Sequence, residues 1–300
     1  HRRERLRPLI AMSAVESIDI TILADNAAAP PYLAEHGFSA FLEVRATEGS
    51  GGPSASRVVL FDVGMGALFG NAVTAGVDLS RVTDVVLSHG HYDHTDALAA
   101  FLARYTDVRV HSSAGIFRDH YSMKTGACRK ISLSDENRNA LVELPRNRFV
   151  PFSGTASIAD GLVGLAEGIP LNDPLELPSP LLFADSRCRV PDSVPDELVL
   201  WMETEKGLVI LTGCCHSGFV NTCECVRALS PGKPILAVIG GFHLAGVPEE
   251  RLESTAAYIE TQDIQRVVPC HCTGDAEIDW LRERLGKRVT KGECGMNILL

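Results

Sequence analysis

The chain has 300 residues, 45% of them hydrophobic and 22% charged. That is enough to bury a core in one large domain or two small ones, which excludes global disorder. A formal charge of −10 disfavours nucleic acid or an anionic membrane as the main partner, because either needs clustered Lys and Arg. A small-molecule substrate fits better, and an anionic one must be met locally, by metal or by a few basic side chains.

The basic run His1-Arg2-Arg3-Glu4-Arg5-Leu6-Arg7 precedes Met12, so residues 1–12 read as an extension or expression remnant. Residues 13–300 read as a single domain. Runs rich in β-branched and apolar residues at 18–23, 38–44, 58–61, 85–87 and 108–110 predict strands, and apolar spacing predicts a helix over 95–104. The stretch from about 122 to 195 lacks periodicity and holds half of the 16 prolines. It is expected to be an irregular lid or substrate loop. Beyond it, strands are predicted at 198–202, 208–211, 235–239, 267–268 and 297–300, with helices over 219–229, 249–260 and 276–284. The longest apolar run, 235–242, is far too short for a membrane span, and nothing resembles a signal peptide. A soluble, cytoplasmic protein is expected.

Nine cysteines are odd in number and clumped, as Cys214-Cys215, Cys223/Cys225 and Cys270/Cys272. A secreted disulfide framework explains them poorly, and C-x-C lacks the spacing of zinc knuckles. Reduced thiols, several in the core, are the expectation.

The segment Ser88-His89-Gly90-His91-Tyr92-Asp93-His94-Thr95 places four ligand candidates within six residues, after a buried strand and before a helix. Imidazoles suit zinc, iron and related ions, and a carboxylate adds charge compensation. The H-x-H alternation sets His89 and His91 on one side of the turn, with Asp93 and His94 pointing elsewhere, which suits two adjacent metals. Three later histidines, His216, His243 and His271, also follow strands, so four histidine-bearing turns are expected to converge on one crevice.

The H-x-H-x-D-H run resembles the signature of the metallo-β-lactamase superfamily, and Leu60-Phe61-Asp62-Val63-Gly64 resembles the strand end that precedes it there. Further pieces, Asp25-Asn26, Glu35–Ser39, Asp196-Glu197, Thr212–Thr222, Gly240–Leu244 and Pro269–Gly274, are similar to the branch of dihydropterin ribofuranosylaminobenzene 5′-phosphate synthases. The resemblance implies an α/β fold, the four-layer αββα sandwich. It also implies an enzyme holding two divalent metal ions, with zinc expected and iron or manganese as alternatives. Asp62 would orient a ligand, and Asp25 and His36 would lie beside ligands or substrate. His89, His91 and His216 are expected on one metal, with Asp93, His94 and His271 on the other.

Two features depart from the pattern. No histidine falls between His120 and His216, and Thr212-Gly213-Cys214 stands where the superfamily usually has a T-G-D turn. Cys214 or Cys215 is then either a ligand or a buried structural thiol. Asp93 is expected to restrain the reacting oxygen. The Gly240-Gly241 turn permits close approach of substrate, so His243 is assigned to the reaction, as hydrogen-bond donor or general acid. Three readings of function remain open. The first is a transferase acting on a pterin-like or phosphorylated small molecule; the others are a hydrolase of a phosphodiester, thioester or lactone, and a non-catalytic metal or ligand sensor.

Overall fold

The structure, a computed structural model, describes residues 12–47 and 56–300. The basic run His1–Arg7, and with it nearly all of the expected extension, lies outside them. Thirteen strands join one hydrogen-bonded sheet whose two halves meet where Val15 pairs in parallel with Thr204. One half carries Val15–Ala24, Ser39–Ala46, Ser56–Phe61, Asp84–Leu87, Arg109–Ser113 and Phe149–Phe152. In the other, Leu198–Thr204 leads to Gly207–Thr212, Ile235–Gly241 and Arg266–Cys270.

Side-chain alternation explains why the sheet folds over on itself. Ile18, Ile20 and Ile22 enter a central cluster with Val59, Phe61, Val209, Leu211 and Ile239, drawn from both halves. Their neighbours Leu23, Val58 and Leu60 point the other way, against Leu68, Leu98 and Phe101 from the helices Ala67–Ala75 and Leu98–Arg104. On the opposite flank, Phe219, Val226, Ile259 and Leu281 from three helices cover Leu208, Ile210 and Val238. Strands apolar on both faces need cover on both. Three apolar interfaces make four layers, helix, sheet, sheet and helix, the αββα order expected. Among the described residues no helix is long and apolar enough to cross a membrane.

Within each half the strands that end in functional turns run parallel: Ser56–Phe61 beside Asp84–Leu87, and Gly207–Thr212 beside Ile235–Gly241 and Arg266–Cys270. Their carboxyl ends therefore align, and so do the turns that follow them.

The expected irregular stretch, about 122–195, is more regular than its prolines suggest. Ser134 caps a helix over Asp135–Val142, its hydroxyl accepting from the Asn137 amide. Phe149–Phe152, Thr155–Ile158 and Val163–Glu167 join the large sheet. Pro151 sits inside one of these strands, and four-residue strands carry too little alternation to show. The strands Tyr121–Ser122, Arg129–Lys130 and Leu182–Phe183 form a separate small sheet. A disulfide between Cys128 and Cys188 fastens its hairpin to the loop beyond, a correction to the expectation that all cysteines are reduced; the other seven are free.

Candidate metal centre

Strand Asp84–Leu87 is buried along its length, and the chain leaves it through Ser88 into the turn of His89, His91, Asp93 and His94. Asp62, at the end of the neighbouring strand, organises this turn. One carboxylate oxygen accepts from the Ser88 amide at 2.7 Å; the other accepts from the Ser88 hydroxyl at 2.6 Å and lies 2.7 Å from His94 Nδ1. With its proton committed to Asp62, the Ser88 oxygen accepts from His89 Nδ1 at 2.9 Å. A single buried carboxylate thus holds two imidazoles in place, one directly and one through Ser88.

Asp25 and Asn26 do the same for His271. The Asp25 carboxylate accepts the His271 amide at 2.8 Å, and Asn26 Oδ1, which also accepts from Gly37, lies 2.9 Å from His271 Nδ1. An amide oxygen can only accept, so Nδ1 carries the proton. Burial raises Asp25 to about 6, against its backbone hydrogen bonds. His216 is placed by Glu197, whose oxygens accept the His216 and Ser217 amides at 2.6 and 2.8 Å. Asp62, Cys215, His243 and His271 all take left-handed backbone conformations, with φ between 47° and 61°. For non-glycine residues this costs of order 1–3 kcal/mol each, and such strain gathers at functional sites.

These supports leave three Nε2 lone pairs aimed inward. His89 Nε2 lies 2.9 Å from His91 Nδ1 and 3.3 Å from His216 Nε2. His94 Nε2 lies 3.2 Å from Cys214 Sγ. His271 Nε2 is 3.3 Å from Asp93 Oδ2, yet it is buried without a hydrogen bond of proper geometry; His91 Nε2 is likewise unpartnered. Buried acceptors converging on shared points are costly unless a cation lies between them. The residues present fit divalent cations: ligand atoms gather as His89, Cys214 and His216, as His94, Cys214 and His271, and as His36, Asp93 and His271, with His91 outside all three groups.

For His89, His91 and His216, electrostatics agree with a ligand role; His94 must first lose a proton. Burial holds His89, His91 and His216 far below the ordinary imidazole range, which leaves them neutral. Burial opposes charge on His94 too, but Asp62 outweighs it and lifts the ring to about 9. For Asp93, the histidines His271, His94 and His91 outweigh burial and keep the carboxyl ionised. His36 Nε2 approaches the same Asp93 oxygen at 3.3 Å from a half-exposed position.

His243 sits outside the ligand clusters, its ring centroid 4.6 Å from that of His216. Burial pushes it down to about 3. It is therefore neutral near pH 7, so proton donation would come from an imidazole N–H, not from the imidazolium that a general acid near neutral pH implies. Of the two readings left open for Cys215, its placement is that of a buried thiol: it turns away from the histidines, with Sγ 3.3 Å from the Thr222 hydroxyl, inside an apolar cluster.

The histidines form the floor of a cavity of about 400 Å³. Its walls include Tyr92, Cys272, Ile131 and Leu182, and its rim carries Ser122, Lys124, Thr125, Arg129 and Lys130. Lys130 pairs with Asp119 at 2.8 Å; among the described residues Lys124 and Arg129 make no ion pair. Sequence reasoning missed this basic rim, because its residues flank a two-residue strand with no signature. It also passed over His120, which is buried against the His91 ring between Asp192 at 2.5 Å and Asp196 at 3.1 Å. Asp196 in turn accepts the Gly90 amide at 2.9 Å. Only a pairing across about 70 residues reveals that role.

The fold is that of the metallo-β-lactamase superfamily, and comparison with known proteins agrees: the model of that superfamily matches residues 54–175. The uncharacterised protein MJ0448 of Methanocaldococcus jannaschii is 30% identical over 263 residues, covering 85% of this chain and 90% of that one. The chain belongs to the metallo-β-lactamase superfamily. It is 28% identical over 282 residues, 89% of this chain and 91% of the other, to the 7,8-dihydropterin-6-methyl-4-(β-D-ribofuranosyl)-aminobenzene-5′-phosphate synthase of the same organism. Among solved structures it is similar to Tm1679, described as a metal-dependent hydrolase of the β-lactamase superfamily. The TM-score is 0.75, with 25% identity over 94% of this chain and 98% of that one.

Proposed function

We propose that this chain is a two-metal enzyme acting on a phosphorylated small molecule of pterin-like or ribosylated aromatic character. The observation that carries the reading is the cavity itself, where a floor of buried imidazoles and Asp93 faces a rim holding Lys124 and Arg129, which make no ion pair among the described residues. In a chain of net charge −10, unpaired cations at one mouth supply the local compensation an anionic substrate needs. The name of the 28% identical synthase, whose product is a phosphate ester of a ribosylated aminobenzene, supports the same substrate class.

His89, His91 and His216 would hold one cation, and Asp93, His94 and His271 the other. Divalent metal there supplies Lewis-acid polarisation of a substrate oxygen. The chain does the rest. Lys124 and Arg129 bind and orient the phosphate, and Tyr92, Ile131 and Leu182 give a flat ring apolar contact. His243 presents a neutral imidazole beside His216 that donates or accepts one hydrogen bond at the reacting oxygen. Transfer is the favoured reaction. Hydrolysis is the second reading, favoured by the description of Tm1679.

The test combines metal analysis with turnover. Protein loaded with zinc or manganese is assayed on a dihydropterin alcohol activated as its diphosphate ester, which leaves as inorganic diphosphate, with a ribosylaminobenzene phosphate, and separately on phosphodiesters, thioesters and lactones. His91→Ala should lose at least one metal equivalent together with activity. His243→Ala should keep both metals and lose about 10²–10⁴-fold in turnover. Full metal content in folded His91→Ala would sink the ligand assignment, and metal loss from His243→Ala would make that residue a ligand. Turnover of lactones or thioesters alone would overturn the phosphorylated substrate class.

A further inference from the structure

We infer that Cys214 is a thiolate ligand shared by both metal positions, an inference that rests on the two-metal reading above. The side chain is nearly fully buried, and its sulfur alone belongs to both buried clusters: with His89 and His216 on one side, and with His94 and His271 on the other. In each cluster the ligand atoms lie within 4.8 Å of one another. The nearest approach is the 3.2 Å from Sγ to His94 Nε2. On the far side, His271 Nε2 is buried without a hydrogen-bond partner.

The placement is built by two glycines. A Cβ on Gly213 would stand 2.1 Å from Ser88 Oγ, and one on Gly241 would stand 2.4 Å from the Gly213 carbonyl. Their absence lets the 212–214 turn press against the turn that carries His89. The Thr212 hydroxyl, donating to the Gly241 carbonyl at 2.8 Å, and the Gly241 amide, donating to the Gly213 carbonyl at 3.1 Å, lock it there. Of the neighbouring thiols, Cys215 is aimed toward Thr222, and Cys272 lies against Cys214 in the cavity wall, donating to the Cys214 carbonyl at 3.3 Å, outside both buried clusters.

Charge supplies the second argument. Two divalent cations bring four positive charges into a buried site whose histidines are neutral ligands, and among the expected ligands Asp93 alone is anionic. Burying so much net charge is costly, so another anion at the midpoint is strongly favoured. A thiolate there neutralises charge on both ions at once. It also biases the centre toward zinc, cobalt or iron and against magnesium or calcium, because sulfur is a soft donor. Metal binding would release the Cys214 proton.

The experiment is a cobalt(II) titration of the metal-free full chain, following the thiolate-to-cobalt charge-transfer absorption, with stoichiometry read by native mass spectrometry. A shared thiolate predicts absorption that grows through both equivalents in the wild type. Cys214→Ser should lose the band and retain at most one tightly held ion, whereas Cys215→Ser and Cys272→Ser should keep it. Saturation at one equivalent while a second ion binds would make Cys214 terminal and overturn the sharing. Two bound cobalt ions with no band, or a band that survives in Cys214→Ser, would remove the sulfur from the centre. The wild-type titration decides the matter even if the serine variant fails to fold. A wild type that binds no cobalt would overturn the two-metal reading itself, an outcome distinct from the others.

Discussion

The floor and the rim of the cavity are built by opposite means. On the floor most of the histidines are braced by a second group: the His94 and His89 rings through Asp62, the His271 amide and ring through Asp25 and Asn26, and the His216 amide through Glu197. The rim stands on two-residue strands, with exposed Lys124 and Arg129 and a disulfide fastening its hairpin. Under the proposed function, chemistry that requires fixed lone pairs would sit where packing over-determines position, and recognition of a charged group where side chains are free to adapt.

The most damaging change should be Asp62→Ala. It strips the partners from Ser88, His94 and, indirectly, His89, and leaves a buried imidazolium uncompensated. We expect a loss of about 3–5 kcal/mol in the metal-free protein, measured by urea unfolding, together with loss of bound metal. A loss comparable to that of a surface substitution would show that the floor is not organised through this carboxylate.

A smaller effect follows from pH. The His94 ring titrates at about 9 in the folded, metal-free chain, above the ordinary 6.5. Its pairing with Asp62 therefore contributes fully below pH 6.5, and that contribution fades as pH rises through about 9. Metal must displace the same proton, so this proton alone should make apparent metal affinity climb by about tenfold per pH unit between neutral pH and 9 in the Cys214→Ser variant, where no thiol proton is released. Affinity that stays flat over this window, measured by competition with a chelator, would contradict the pair.

The smallest change belongs to the rim. Lys124→Ala or Arg129→Ala should leave metal content and folding stability unaltered and raise KM for a phosphorylated substrate by roughly tenfold each, about 1.4 kcal/mol. The penalty should shrink with added salt, since both side chains are exposed. Equal KM values for a phosphorylated substrate and its dephosphorylated analogue in the wild type would dissociate the rim from phosphate recognition.

What the amino-acid sequence determined by itself was local. Ligand candidates one to five positions apart on one turn, such as those from His89 to His94, have their relative directions set by backbone geometry, and alternating apolar residues announced the flanking strands. The strand-end positions of His216, His243 and His271 were legible for the same reason. Cys214 and Cys215 could not be told apart in advance, because adjacent residues leave a turn in opposite directions and only packing decides which one faces the histidines. The bracing of His216 by Glu197, the clamping of His120 between Asp192 and Asp196, the link from Cys128 to Cys188 and the gathering of Lys124 and Arg129 at the mouth belong to the tertiary structure alone. Each joins segments that meet only because both faces of the folded sheet must be covered, and no local spacing encodes that meeting.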